Sequence, residues 1–208
     1  MAENYPVRIP GPETHRLADM GGVLQDLRWV VAACERLLPR LEKPNENTLE
    51  LEALESSAIV RYCRCFSGGV RTAFLLDGNW LDKLPQDLKG AHSAAIARRD
   101  KHIAHSVNDW ELNVVRAQLR IDTESKRKEV TSVSVEHHRV IGLAQPDVDA
   151  LRRLALTMIE LVRPTYEAER GRVLEFAKAI PVAELEKGLA EAAVVPGRVG
   201  RVDQARPR

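Results

Sequence analysis

Residues 98–106 read Arg98-Arg99-Asp100-Lys101-His102-Ile103-Ala104-His105-Ser106, which is three cations, two imidazoles and one carboxylate in nine positions. Arginine stabilises phosphate charge, and histidine is the side chain that most readily moves protons near neutral pH. Both types within two helical turns suit chemistry on a phosphodiester backbone. The plainer reading of the same residues is a charged, solvated helix end.

Arg99, the polar Asp100, the spacer Lys101-His102-Ile103-Ala104 and His105 form an arginine–polar–spacer–histidine pattern. The pattern resembles the signature of HEPN domains (higher eukaryotes and prokaryotes nucleotide-binding). These are small α-helical domains, many of them ribonucleases of toxin–antitoxin and abortive-infection systems. With Asn108-Asp109-Trp110-Glu111 following, the wording is similar to the abortive-infection-associated branch.

The resemblance implies a metal-independent endoribonuclease with no cofactor, a homodimer whose cleft is lined by Arg and His of both protomers, and a cognate antitoxin protein as partner. Under it, His105 helps deprotonate the ribose 2′-hydroxyl or protonates the leaving oxygen, for which an imidazole near pKa 6.5 is well suited. Arg99 holds the phosphate bidentately as negative charge builds. Asp100 orients an arginine or a histidine, and His102 is a helper or an exposed neighbour. The substrate is RNA, since only RNA offers the 2′-hydroxyl. The same resemblance also covers a non-catalytic dimerisation or nucleotide/RNA-binding module. There, Arg99 and Asp100 pair across a helix interface and His105 caps a helix end.

Helical geometry brings in a rival. At about 100° per residue, Arg98 and His105 lie within about 20° of each other, whereas Arg99 and His105 diverge by about 120°. The family-matched pair therefore needs a helix that ends near Ile103, or groups from a second subunit. Arg99 ranks first on the motif and Arg98 second on geometry. A metal site drawn from His102, His105, His137 or His138 is a weaker reading. Successive strand residues such as His137 and His138 face opposite ways. Cys63-Arg64-Cys65 lacks a second cysteine pair, and on a helix its thiols point about 200° apart, so core or half-buried cysteines are expected.

With 208 residues the chain is long enough for one domain with a real core. A net charge of +1 supplies no whole-molecule attraction to nucleic acid, so any RNA affinity must come from a local basic patch. Three cysteines without framework spacing, no leader-like apolar segment and no membrane-length run make a reducing cytoplasm the simplest location, with no membrane partner.

The elements that must position the motif read as an all-α antiparallel bundle of four or five long helices with a small β-hairpin insertion. Residues 1–12 form an irregular lead-in, 13–190 the domain and 191–208 a flexible basic tail. Leu17, Met20, Leu24, Leu27, Val31, Cys34 and Leu38 make one apolar stripe on a helix that Pro39 and Pro44-Asn45 close. Thr48 caps a second helix with Leu51, Leu54, Ala58, Tyr62 and Cys65 inward, ended by Ser67-Gly68-Gly69. Turn chemistry at Asp77-Gly78-Asn79 marks a linking segment under which Phe74, Leu75, Leu76, Trp80 and Leu81 are expected to pack. A third helix runs from Pro85 towards Ile103, and its Ala91, Ala94, Ala95 and Ala97 permit close approach of a neighbouring helix or subunit. Alternation at 115–121 and 130–135 around a charged turn predicts the hairpin, about 113–138. Asp147 opens the last long helix, which Pro164 kinks or ends before a further segment 165–179, and a short helical piece follows Pro181.

Overall fold

The computed structural model describes residues 6–43, 48–69, 71–103, 111–121, 127–139 and 142–187, with backbone only at 48, 102–103, 111–113, 137–139 and 187. The chain is mostly helical with one two-stranded antiparallel hairpin. After a 3-10 turn, Pro12–Thr14, come α1 (His15–Leu41), α2 (Thr48–Arg64), α3 (Gly78–Asp82) and α4 (Gln86–Arg98). A π turn follows at Arg99–Ile103, then β1 (Glu111–Ile121), β2 (Lys128–Arg139), α5 (Gln145–Lys178) and α6 (Val182–Lys187).

The core forms where the apolar stripes meet. Met20, Val23, Leu27, Val30 and Leu37 of α1 lie buried with Ala58, Ile59 and Tyr62 of α2 and with Leu151, Leu154, Met158 and Val162 of α5. Helix α1 packs on both α5 and α2, and α4 packs on α5 and α2. Between α2 and α4 the chain folds back under itself. The Leu76 N–H donates to the Cys65 carbonyl at 2.9 Å, Phe74 and Leu76 are buried, and Asp77 accepts from the Asn79 N–H at 3.0 Å to cap α3.

Three expectations need correction. The third helix does not continue regularly to Ile103; α-helix stops at Arg98 and a wider π turn carries Arg99–Ile103. Helix α5 does not end at Pro164 but continues as one helix of 34 residues to Lys178. A proline removes one N–H and crowds the preceding turn, but Pro164 is solvent-exposed, so the freed carbonyl can turn to water while Val162 before it packs in the core and Val173 after it is buried. Pro39 likewise sits inside α1, whose last residue is Leu41.

The hairpin matches the alternation. Val115, Ala117 and Leu119 pair with Val135, Val133 and Val130, across a register shift at Gln118/Leu119. These side chains share one face, and it is open to solvent, with Val115 69% exposed and Val133 66%. The opposite face carries the ion pairs Arg116–Glu136 (2.5 Å) and Arg120–Glu129. The hairpin turn at 122–126, the Pro44-Asn45 break and the tail from 188 onward lie outside the described residues.

No helix among the described residues is long and apolar enough to cross a membrane.

Candidate functional site

The motif hangs from a contact between α2 and α4. Glu55, Ile59, Tyr62 and Phe66 recur at three- and four-residue steps, so they line one side of α2 and its end. Phe66 meets His92 (ring centroids 4.7 Å apart), the Cys63 sulfur approaches the Ala95 carbonyl at 3.7 Å, and Glu55 forms an ion pair with Arg98. Rising numbers on α4 meet falling numbers on α2, so the two helices run antiparallel along this contact.

Arg98 is spent inside the protein. Its side chain is 9% exposed and that of Glu55 8%, and the second oxygen of Glu55 accepts the Leu143 N–H at 2.7 Å. One carboxylate thus joins α2, the end of α4 and the approach to α5. Gly142 precedes that bond with φ 95°, a backbone conformation that residues with a Cβ rarely adopt.

Arg99 behaves differently. It opens the π turn, its side chain is 35% exposed, and its Nε lies 2.7 Å from the exposed Asp100 carboxylate. Its positive charge lies near enough to the Cys63 thiol to oppose the effect of burial there. His102 belongs to the π turn by its backbone, while its side chain lies outside the described residues, as does all of His105. His137 and His138 are placed only by register, opposite Asn113 and Leu112.

A histidine that the motif does not include stands closest to the contact. His92 Nδ1 lies 2.8 Å from the Tyr62 hydroxyl, and the rings of Tyr62, Phe66 and His92 pack edge to face. Burial lowers the pKa of His92, which favours the neutral ring, and its tautomer sets which of the two groups donates in the bond to Tyr62. Burial pushes the Tyr62 hydroxyl upward, and pushes the Cys63 thiol up to about 11 despite the adjacent Arg99. The Cys63 thiol is therefore protonated at neutral pH and a poor nucleophile. The Cys65 sulfur instead lies 3.4 Å from the Arg61 carbonyl of α2 and 3.9 Å from the Val23 carbonyl of α1, so the two thiols meet different neighbours. Two features of the sequence could have pointed here: a carboxylate, Glu55, within the apolar stripe of α2, and a histidine, His92, seven positions before Arg99.

Among the described residues no group of three His, Cys, Asp or Glu has the geometry to hold a metal ion. Of the alanines on α4, Ala95 is buried within the chain and Ala91 packs partly against the core, while Ala94 and Ala97 are exposed. Comparison with family models, with curated proteins and with solved structures found no match to this chain.

Proposed function

We propose that this chain is a HEPN-like, metal-independent endoribonuclease in which Arg99 and His105 carry the chemistry, acting as the toxin of a toxin–antitoxin or abortive-infection system. The observation that carries this reading is the division of labour between adjacent arginines. Arg98, the geometric rival, is buried against Glu55. Arg99 is partly exposed at the start of a π turn, a local widening often found at functional sites.

In this reading His105 takes the proton of the ribose 2′-hydroxyl. The 2′-oxygen attacks phosphorus, the bond to the 5′-oxygen breaks, and that oxygen leaves with a proton delivered by the partner protomer's imidazole or by water. Arg99 stabilises the negative charge that builds on the phosphoryl oxygens. The products are a 2′,3′-cyclic phosphate and a free 5′-hydroxyl. The fold that goes with this function is an antiparallel bundle built on α1, α2, α4 and α5. The outward Ala94 and Ala97 of α4 leave room for a second protomer.

The test is RNA cleavage by the purified chain in the presence of a chelator. Cyclic-phosphate products, with a loss of about 10²–10⁴ in rate for His105→Ala, are the expected result. No cleavage by the parent protein, or a monomer in sedimentation, overturns it. A second reading, the non-catalytic module, is favoured by the Arg99–Asp100 ion pair, which holds the arginine against a carboxylate of its own turn. It predicts that RNA is bound but not cut.

A further inference from the structure

On the other side of α2 from Glu55 lies a second, denser cluster of charge. Arg61 and Arg64 sit about 120° and 180° around the helix from Glu55, so they face away from α4. Both converge on Asp26, a buried residue of α1, together with Arg71 from the segment after α2. Arg61 Nη1 lies 3.0 Å from one oxygen of Asp26, Arg71 Nη2 2.6 Å from the other, and Arg64 Nε 3.8 Å away. Three guanidiniums thus surround one carboxylate, an excess of two positive charges. The cationic pair lies in the last turn of α2, where the helix contributes only about half a negative charge, so most of the excess remains.

The cluster is rigid. The Arg61 guanidinium carbon stacks 4.6 Å from the centroid of the Trp29 ring, which fixes the plane of its donors. Arg71 also donates to the Gly22 carbonyl at 3.1 Å, and a Cβ at position 22 would fall 2.9 Å from its Nε. Glycine there lets the guanidinium lie flat on α1. Arg71 Nη1 is enclosed yet has no hydrogen-bond partner among the described residues, so the cluster holds more donors than its acceptors use. Arg64, 56% exposed and beyond hydrogen-bond distance of Asp26, presents its fork to solvent.

We infer that the Asp26–Arg61–Arg64–Arg71 cluster is a binding site for the phosphate groups of a polynucleotide strand. Arginine forks match phosphate oxygens bidentately, and a local excess of charge supplies what a net charge of +1 does not. Asp26 holds the arginines in place, and Arg64 with the outer edge of Arg61 meets the ligand. The site is separate from Arg99 and does not depend on cleavage.

The experiment measures binding of the full chain to a labelled single-stranded DNA oligonucleotide, which lacks the 2′-hydroxyl and so survives any such cleavage. Arg64→Glu is expected to weaken binding about tenfold, and Arg64→Gln to lower the salt dependence by about one phosphate contact. Lys178→Glu, the same charge change on an exposed residue of α5, is expected to leave binding unchanged. Melting temperatures are recorded for every variant; if Arg64→Glu melts early, Arg64→Gln decides. Equal weakening by Arg64→Glu and Lys178→Glu, no effect of either Arg64 variant, or no binding by the parent overturns the inference. Displacement of the strand by inorganic phosphate at equal phosphate concentration makes this a small-anion site and overturns the assignment to a polynucleotide.

Discussion

The carboxylate of Glu55 and the guanidinium of Arg98 form an ion pair enclosed on both sides, between the middle of α2 and the last residue of α4. Because Glu55 also accepts the Leu143 N–H, one side chain holds both ends of the excursion that carries the π turn and the hairpin. The backbone that presents Arg99 leaves the helical core from this anchor.

Removing one partner of such a pair strands a charge in a poorly solvated place. Arg98→Met is expected to cost about 3–5 kcal/mol in urea unfolding. Replacing Glu55 by Leu in the same chain is expected to restore only part of that loss. The Leu143 N–H then lacks its acceptor, and a partly buried donor left unsatisfied costs up to about 1–3 kcal/mol. Full recovery in the double variant would mean that the Leu143 bond contributes little.

Arg99→Ala should behave in the opposite way. Its ion pair with Asp100 is partly solvated, so the stability change is expected to stay within about 1 kcal/mol. RNA cleavage is expected to fall by about 10²–10³, the usual cost of removing one group that stabilises a developing anion. Measuring melting and cleavage on the same preparations separates the two roles. A large melting shift with Arg99→Ala would make that residue structural.

His92 makes stability depend on pH. Its pKa is lowered in the folded state by burial, so below about pH 6.5 the unfolded chain binds a proton that the folded chain refuses. Stability from this group is complete above that value and declines as pH falls towards the folded pKa. The parent protein is therefore expected to lose melting temperature on acidification from pH 7 to pH 5 by more than His92→Phe does. Parallel pH profiles for the two proteins would remove His92 as the cause.

The hairpin buries little against the helices, since Val115, Leu119, Val130 and Val133 are exposed. Deleting residues 111–139 is expected to shift the melting temperature by less than about 4 °C, the equivalent of about 1 kcal/mol in a domain of this size. A larger drop, read by circular dichroism, would show that the hairpin face is covered in solution.

How much of this was legible in the chain follows from the range of the interactions involved. The stripe of Met20, Leu24, Leu27 and Cys34 and the alternation of Val115, Ala117 and Leu119 are local patterns, and each fixes which face is buried or shared. The long helices, the hairpin and the burial of Cys34 and Cys65 followed from them, whereas the short helix Gly78–Asp82 lay in a stretch that reads as a turn. Helix ends did not. Pro164 breaks a local rule, but its exposed position on a helix anchored on either side makes the lost bond tolerable. The roles of Arg98 and Arg99 were beyond any local pattern. They are adjacent and chemically alike, and they part company only because Glu55 approaches the α4 face that Arg98 shares. The same holds for His92, whose partner Tyr62 is 30 positions away, and for Glu55 and Leu143, 88 positions apart. Periodicity states that a side chain points inward. Which charge or ring it meets there is set by the packing of helices distant in sequence, and that only the tertiary structure decides.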